Sequence, residues 1–400
     1  MKSSEQQYML VTASYWAFTL TDGALRMLVI LYFHQLGYSP LEVASLFLLY
    51  EFCGVITNLV GGWFATRMGL NVTMQLGLAL QILALGMLLV EPEYLGVLYV
   101  MIAQAISGIA KDLNKMSAKS SIKLLVPDNA QGMLYQWVSL LTGSKNTLKG
   151  VGFFLGAMLL TTLGFRGAIA IMAGCLLIVL LSSYIFLQKD LGKTTYKAKF
   201  TDIFSKSSAV NYLSAARFFL FGSRDVWFVV ALPVFLQDHL QWDYAEVGTF
   251  FALWVIVYGF VQSVAPFITG VRRGNIPDGK TAMLWAIFLA IIPLAIASFL
   301  YQGWPAGDVL VIGLAGFGVI FAVNSAVHSY LIVAYAEEQG VTMDVGFYYM
   351  ANALGRLVGT MLSGWVYQSS GLTSCLLVSA AFIIISSLIS VALPRHQAVI

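Results

Sequence analysis

Residues 167–187, GAIAIMAGCLLIVLLSSYIFL, form an apolar run that contains no charged side chain. A helix of about twenty apolar residues crosses the roughly 30 Å hydrocarbon core of a bilayer. Such runs recur along the chain, in which 59% of the residues are hydrophobic and 10% are charged. Soluble domains carry about 25% charged residues. The composition therefore predicts a protein that is solvated largely by lipid.

Polar breaks divide the chain into twelve predicted spans. Spans 1 to 6 cover 10–33, 41–65, 72–90, 95–118, 131–163 and 167–187, and spans 7 to 12 cover 210–236, 244–269, 281–301, 309–336, 345–368 and 371–393. No alternating barrel pattern appears, so helix is the backbone that can satisfy its own hydrogen bonds in lipid. We therefore expect an all-α membrane protein.

The basic residues between the spans predict the orientation, because cytoplasmic loops are enriched in Lys and Arg. One set of connections and the C-terminal tail hold nearly all of them: Arg67, Lys119, Lys123, Lys189, Lys193, Lys197, Lys199, Lys206, Arg272, Arg273, Lys280 and Arg395. The opposite connections contain only Arg166. We expect both termini to be cytoplasmic.

A short internal repeat predicts two halves. LGYSPLEVASLF (36–47) and LQWDYAEVGTFF (240–251) lie 204 residues apart, each between the first and second span of its half. The longest polar segment, 188–209, is the predicted cytoplasmic linker between an N-terminal six-helix half (1–187) and a C-terminal six-helix half (210–400). Two parallel six-helix repeats resemble the fold of the major facilitator superfamily.

The charged residues inside the spans are unevenly distributed. Spans 3, 6, 9 and 12 carry none, whereas spans 1, 2, 4, 5, 7 and 11 carry Asp22, Arg26, Glu51, Lys111, Asp112, Lys115, Lys145, Lys149, Arg217, Arg224, Asp225 and Arg356, and span 10 adds Asn324 and His328. A charge facing lipid at mid-depth costs about 2.5–3.5 kcal/mol. We therefore expect spans 1, 4, 5, 7, 10 and 11 to line a polar cavity of an alternating-access transporter.

Four lysines are predicted to face one another. Lys111 and Lys115 lie four residues apart on span 4, and Lys145 and Lys149 lie four apart on span 5, so each pair shares a helix face. An antiparallel hairpin centred near residue 130 places the two pairs level with each other. We expect these lysines to attract an anion from the cytoplasm; the alternative is that they snorkel to anionic lipid headgroups.

Three arginines are predicted to bind the anion near the middle of the membrane. Arg26, Arg224 and Arg356 can each hold an oxyanion through two parallel hydrogen bonds, and Asn324 is a further substrate-binding candidate. Asp225 is the acidic neighbour of Arg224 in sequence, but adjacent residues do not share a helix face. The sequence therefore does not predict that these two side chains pair.

Three carboxylates are candidates for proton or charge coupling, namely Asp22, Glu51 and Asp225. Asp22 and Arg26 lie four residues apart and could instead form a structural pair along span 1. A neutral structural carboxyl remains an equal alternative for the coupling residues. Gly152 with Gly156, and Gly355 with Gly359, have the spacing of close helix packing.

The loop GGWFATRMG (61–69), between spans 2 and 3, resembles the loop signature of the major facilitator superfamily. Gly62, Arg67 and Gly69 match the signature and form the predicted gating loop. Thr66 stands where the signature has an aspartate, so the usual gating salt bridge is in doubt here.

The sequence predicts neither enzymatic activity nor a cofactor. It contains no P-loop, and Cys53, Cys175 and Cys375 are far apart, which is not the spacing of a metal site. A membrane enzyme acting on a lipid-linked phosphate would need a metal-binding carboxylate cluster or a large catalytic loop, and neither is present. We expect no nucleic-acid partner, and a monomer in the bilayer.

Several stretches identify a closer resemblance. YWAFTLTDGALRMLVILYFHQLGYSP (15–40), SGIAKDLNKMSAKSSIKLLVPDNAQG (107–132) and LTGSKNTLKGVGFFLG (141–156) are similar to the bacterial organoarsenical efflux permeases of the major facilitator superfamily. The resemblance implies export of 1-arseno-3-phosphoglycerate across the inner (plasma) membrane and hence arsenate resistance. It also implies a functional partnership with glyceraldehyde-3-phosphate dehydrogenase, which makes this ester from arsenate. Another phosphorylated metabolite or a drug is the alternative substrate.

Overall fold

The structure, a computed structural model, describes residues 4–38, 43, 46–187, 206–337 and 340–395. Over these residues the regular structure consists of α-helices and short 3-10 turns, without a strand. The fold is therefore the all-α class that the apolar runs predict. Most of the predicted linker, 188–205, lies outside the described residues, as does Glu42 of the repeat.

Within the described residues, twelve helices correspond one to one with the twelve predicted spans. In chain order, α1 is Ser4–Gln35, α2 is Leu48–Met68, α3 is Leu70–Met87, α4 is Val97–Leu125, α5 (131–163) and α6 (165–186) share the run Gln131–Phe186, α7 consists of Ser208–Phe228 and Ala231–Asp238, α8 is Tyr244–Ile268, α9 is Gly279–Tyr301, α10 is Ala306–Tyr335, and α11 (341–370) and α12 (372–390) share the run Val341–Ser390.

Most of these helices can cross a bilayer. Within the described parts of the chain, nine helical segments are long and apolar enough to do so, and two of them, Gln131–Phe186 and Val341–Ser390, are long enough to cross twice. Helix α4 is not among the nine because of its charged side chains, and it continues to Leu125, beyond the predicted end at residue 118. Helix formation does not require apolar residues. The basic segment 119–125, which lies beyond the apolar run, therefore continues α4.

Glycines in the left-handed region separate the helices of the two long runs. Gly164 has a φ of 68° and Gly371 a φ of 75°, and each interrupts a helix at the corresponding place in its half. No heavy atom lies within 4 Å of a Cβ placed at either residue, so the positive φ, rather than crowding, favours glycine there.

The internal repeat has a matching backbone feature. Gly37 has a φ of 89°, and Gln241, its counterpart in the second copy, has a φ of 58°. Gln241 is the one described non-glycine residue with a positive φ, and its side chain donates a 2.8 Å hydrogen bond to the carbonyl oxygen of Asp238. Both copies of the motif therefore begin with a left-handed residue.

The chain forms two compact units. Unit 1 comprises Met1–Ala130, Ser144–Ser205 and Ala336–Phe347, and unit 2 comprises Gln131–Gly143, Lys206–Tyr335 and Tyr348–Ile400. The first turns of α5 therefore belong to unit 2, and the first turns of α11 belong to unit 1. The proposed division at 188–209 remains a prediction from the sequence.

Close approaches of two helix backbones occur within each unit. In unit 1, a Cβ on Gly152 of α5 would lie 2.8 Å from the carbonyl oxygen of Leu20 on α1. In unit 2, a Cβ on Gly359 of α11 would lie 2.5 Å from the carbonyl oxygen of Gly222 on α7. The prediction of close helix packing at these glycine pairs is confirmed.

Candidate functional site

A first charged cluster in unit 1 joins α1 to α2. Nη2 of Arg26 lies 3.2 Å from Oε1 of Glu51, and the guanidinium lies over the Tyr50 ring, 4.8 Å from its centroid. The hydroxyl of Tyr50 donates a 2.8 Å hydrogen bond to Oδ1 of Asp22. Asp22 and Arg26 thus take partners from α2, and the structure favours these contacts over a simple pair along α1.

Helix α4 adds two lysines and a buried carboxylate to this cluster. Nζ of Lys115 lies 2.5 Å from Oδ1 of Asp112, and Nζ of Lys111 lies 3.9 Å from Oδ2. Lys111 also lies over the Tyr50 ring, 4.0 Å from its centroid. The Tyr50 ring therefore contacts both Arg26 and Lys111, and it connects the two groups of charges.

Helix α5 contributes the remaining predicted lysines. Lys149 is half-buried and has Arg26, Asp22, Lys111 and Lys145 as its electrostatic neighbours. The antiparallel register of α4 and α5 predicts the approach of Lys111 to Lys149. We refer to these residues together as the lysine cluster: Asp22, Arg26, Tyr50, Glu51, Lys111, Asp112, Lys115, Lys145 and Lys149.

The sequence analysis did not assign Asp112 to the site. Its side chain is 2% exposed and lies between the two lysines of α4. The spacing of three residues between Asp112 and Lys115 was the available signal, since residues three apart are neighbours on a helix. With Asp112 included, the cluster still has more basic than acidic side chains.

A second charged cluster, in unit 2, is built on one carboxylate. Oδ1 of Asp225 accepts a 2.7 Å hydrogen bond from Nε of Arg224, and Oδ2 accepts a 2.9 Å hydrogen bond from Nε of Arg356. The Asp225 side chain is fully buried, whereas that of Arg356 is 41% exposed. We refer to Arg224, Asp225 and Arg356 as the arginine triad.

The contact between Arg224 and Asp225 corrects an argument from the sequence. Adjacent helical residues point in directions about 100° apart, as the 3.6-residue turn requires, and this argued against a pair. The arginine side chain is long enough to curl back around the helix, and its Nη2 lies 2.5 Å from Oδ1 of Asp225. Helix geometry restricts the Cβ directions, but not the reach of a guanidinium.

A buried polar group lies beside the arginine triad. Arg217 of α7 donates hydrogen bonds to Asn352 Oδ1 at 2.9 Å and to Ser325 Oγ at 3.2 Å. Asn324 and His328 of α10 are fully buried. Arg217 was recognised in the sequence as a charge within a span but was not assigned to the site.

The predicted gating loop packs against the first turns of α11, both within unit 1. Thr66, which replaces the aspartate of the loop signature, is hydrogen-bonded to Thr342, and a Cβ on Gly62 would lie 3.0 Å from Cα of Met343. Arg67 is exposed and lies over the Trp63 ring, 4.5 Å from its centroid. Gly69, with a φ of 90°, is the single residue between α2 and α3.

The part of the chain that the structure describes contains no group of three or more His, Cys, Asp or Glu side chains that could hold a metal ion. Cys53, Cys175 and Cys375 are free thiols.

Known proteins share this architecture. The family model of the Major Facilitator Superfamily matches residues 11–343 and 213–399. A solved bacterial homologue of the iron transporter ferroportin, in its outward-facing state, is 13% identical with a TM-score of 0.77, covering 96% of this chain and 98% of its own. The human organic anion transporter MFSD10 (TETRAN) is 16% identical with a TM-score of 0.77, covering 98% of this chain and 100% of its own.

A third solved structure is a fucose:proton symporter from E. coli, FucP, at 12% identity and a TM-score of 0.75, with 97% of this chain and 98% of the symporter covered. No curated protein matches the chain by sequence. At these identities the structures show the fold alone, while the family model covers nearly the whole chain. The chain is a multi-pass membrane protein that belongs to the Major Facilitator Superfamily of transporters.

Proposed function

We propose that this protein exports a small organic polyanion from the bacterial cytoplasm across the inner membrane by alternating access. One observation carries the proposal: basic side chains outnumber carboxylates in both units. They do so in the lysine cluster, and again on α7 and α11, where the carboxylate of Asp225 accompanies Arg217, Arg224 and Arg356. An uncompensated cation inside a membrane-spanning helix is expensive. A multiply charged anionic substrate would supply the missing negative charge.

The organoarsenical 1-arseno-3-phosphoglycerate is the proposed substrate, on the basis of the resemblance of α1, α4 and α5 to the organoarsenical efflux permeases. It has an arsenate ester at one end and a phosphate at the other, and both ends suit Lys and Arg. Its arsenic is pentavalent and needs no thiol ligand, which agrees with the scattered positions of the three cysteines. Its export would contribute to arsenate resistance.

The negative charge of the proposed substrate and the expected orientation of the chain both support export as the direction of transport. The distribution of basic loop residues supports cytoplasmic termini. With the cell interior negative, each negative charge that leaves gains about 2.3 kcal/mol per 100 mV. We therefore propose that proton coupling by Asp22, Glu51 or Asp225 is optional for export. A transport rate that followed the pH gradient and ignored the membrane potential would contradict this.

The alternative is another phosphorylated metabolite or a drug on the same fold. The similar solved structures are a bacterial homologue of an iron transporter, an organic anion transporter and a fucose:proton symporter, so the fold alone does not select a substrate.

Growth in arsenate tests the proposal. Cells that lack their own arsenate exporters would express the unmodified protein, Lys145→Ala, Arg356→Ala or the exposed-lysine control Lys280→Ala, at matched membrane levels. We expect the unmodified protein and the control to protect, and both cluster variants to lose most of the protection. Full protection by both cluster variants would contradict the site. No protection by the unmodified protein would contradict the arsenical substrate.

A further inference from the structure

The guanidinium of Arg217 is a buried cation that the arginine triad does not use. Arg217 is 3% exposed, and its hydrogen-bond acceptors are neutral: Asn352 Oδ1 and both the carbonyl and the hydroxyl oxygen of Ser325. Among the carboxylates of the described residues, none forms an ion pair with it. Burial of a cation without an anion is costly. The charge of Arg217 is therefore met by neutral acceptors and by the rings of Phe221 and Tyr348, and not by a carboxylate of the described residues.

Two side chains of α10, the helix that supplies Ser325 to Arg217, lack hydrogen-bond partners. Asn324 and His328 lie one turn apart on α10 and are fully buried. Both amide atoms of Asn324 and both ring nitrogens of His328 are without a hydrogen-bond partner in the described part of the chain. His328 is close enough to Arg217 for an electrostatic interaction, and Asn324 adjoins Ser325 in the helix. Unused donors and acceptors therefore lie on a helix that contacts the guanidinium.

The ring of Phe221 contacts both this group and the arginine triad. The guanidinium carbon of Arg217 lies 3.7 Å from the centroid of the ring, and that of Arg224 lies 5.2 Å from the same centroid. The three residues follow one face of α7, and the two arginine positions are about 10 Å apart along the helix axis at 1.5 Å per residue. Two basic groups therefore flank one aromatic ring.

We infer that Arg217, Asn324 and His328 form a second oxyanion subsite, which binds the second charged end of the proposed polyanion. One end would bind the exposed side of the arginine triad, and the other would bind Arg217. Phe221 is 8% exposed and covers Arg217, so its ring must turn aside before the second end can enter. This inference rests on the proposed function and assigns a site to the second charged group of its substrate.

The simpler explanation is that Arg217 only ties α7 to α10 and α11. A structural tie and a subsite differ in one measurable respect, namely the preference for a ligand with two charged ends. Propylphosphonate and propane-1,3-bisphosphonate have the same carbon chain and differ in the second anionic group. Their dissociation constants, measured by calorimetry on the purified full-length protein, give this preference directly.

We expect the unmodified protein to bind the bisphosphonate about ten- to a hundredfold more tightly, as one or two charge-assisted hydrogen bonds provide. Arg217→Gln should abolish most of this preference and leave the affinity for propylphosphonate within about twofold, a change worth less than half a kcal/mol. Asn324→Ala breaks no hydrogen bond among the described residues, so it should fold even if Arg217→Gln does not, and it should reduce the preference severalfold. Arg273→Gln, an exposed arginine, is the matched control and should keep the full preference.

Two results would overturn the inference while leaving the proposed function intact. One is binding of both probes with equal affinity by the unmodified protein; the other is an undiminished preference in both Arg217→Gln and Asn324→Ala. Failure of the unmodified protein to bind either probe would instead overturn the proposed function, and the subsite with it.

Discussion

The lysine cluster and the arginine triad both place basic side chains within membrane-spanning helices, but they balance the positive charge in different ways. In the lysine cluster, Glu51 on α2 holds Arg26, Asp112 on α4 holds Lys111 and Lys115, and the Tyr50 ring contacts both Arg26 and Lys111. In the arginine triad a single carboxylate, fully buried, holds two guanidinium groups. The first arrangement is distributed over several residues, and the second depends on one.

The choice of basic residue fits this difference. Lysine carries a compact charge on a flexible stem, whereas arginine presents a rigid fork that holds oxyanions in one geometry. We therefore expect the lysine cluster to attract the anion and the arginine triad to fix its orientation. Substitution of three carboxylates tests this difference between the clusters, and we expect the loss of stability to decrease in the order Asp225, Asp112, Glu51.

Asp225→Asn should have the largest effect. It removes the one negative charge between two arginines, and breaking a buried ion pair costs about 3–5 kcal/mol. The free energy of unfolding, measured by denaturing-detergent titration in mixed micelles, should fall by this amount. Propylphosphonate should restore more stability to Asp225→Asn than to the unmodified protein, because the anion replaces the lost carboxylate. Asp238→Asn, at an exposed carboxylate, is the control. A change no larger than that of the control would show that the triad does not depend on Asp225.

Asp112→Asn should have an intermediate effect. It removes a buried partner of Lys111 and Lys115, whose side chains are 20% and 11% exposed. A hydrogen bond to a charged group contributes about 1.5–3 kcal/mol, and flexible lysines can recover part of the loss by turning toward water. The same titration should show a loss smaller than that of Asp225→Asn. The reverse order would contradict the contrast between a distributed and a single-residue arrangement.

Glu51→Gln should have the smallest effect on stability. The side chain is 48% exposed, and exposed ion pairs contribute about 0–1 kcal/mol. Arg26 also keeps its contact with the Tyr50 ring after the substitution. We expect an unfolding free energy close to that of the unmodified protein. A loss as large as that of Asp112→Asn would mean that Arg26 relies on Glu51 far more than its exposure suggests.

Much of the fold could be predicted from the sequence, because hydropathy measures the free energy that places a segment in lipid. The helices arise where the apolar runs predict them, and the glycine pairs of α5 and α11 lie at close helix contacts. The prediction placed the end of α4 too early because it relied on hydropathy alone. The polar end of α4 is helical although it is not apolar, and hydropathy does not detect this.

The candidate site was less predictable, because it depends on side-chain reach across helices. Spacing predicted that Lys111 and Lys149 approach each other, and it could have identified Asp112. No rule of spacing predicts the hydrogen bond from Arg224 to its sequence neighbour Asp225, or the contacts of the Tyr50 ring with both Arg26 and Lys111. Arg217 was visible only as a charge in a span; its unpaired state emerges from the packing of α7, α10 and α11.

Transport into everted membrane vesicles tests the central claim, export of an organic polyanion, most directly. The ester would be generated outside the vesicles by glyceraldehyde-3-phosphate dehydrogenase from glyceraldehyde 3-phosphate, arsenate and NAD+, which accepts the hydride, and the arsenic trapped inside would be measured by mass spectrometry. We predict accumulation that requires both the transporter and the dehydrogenase and that falls strongly in Arg356→Ala vesicles. Equal accumulation from arsenate alone, or in vesicles without the transporter, would contradict the claim.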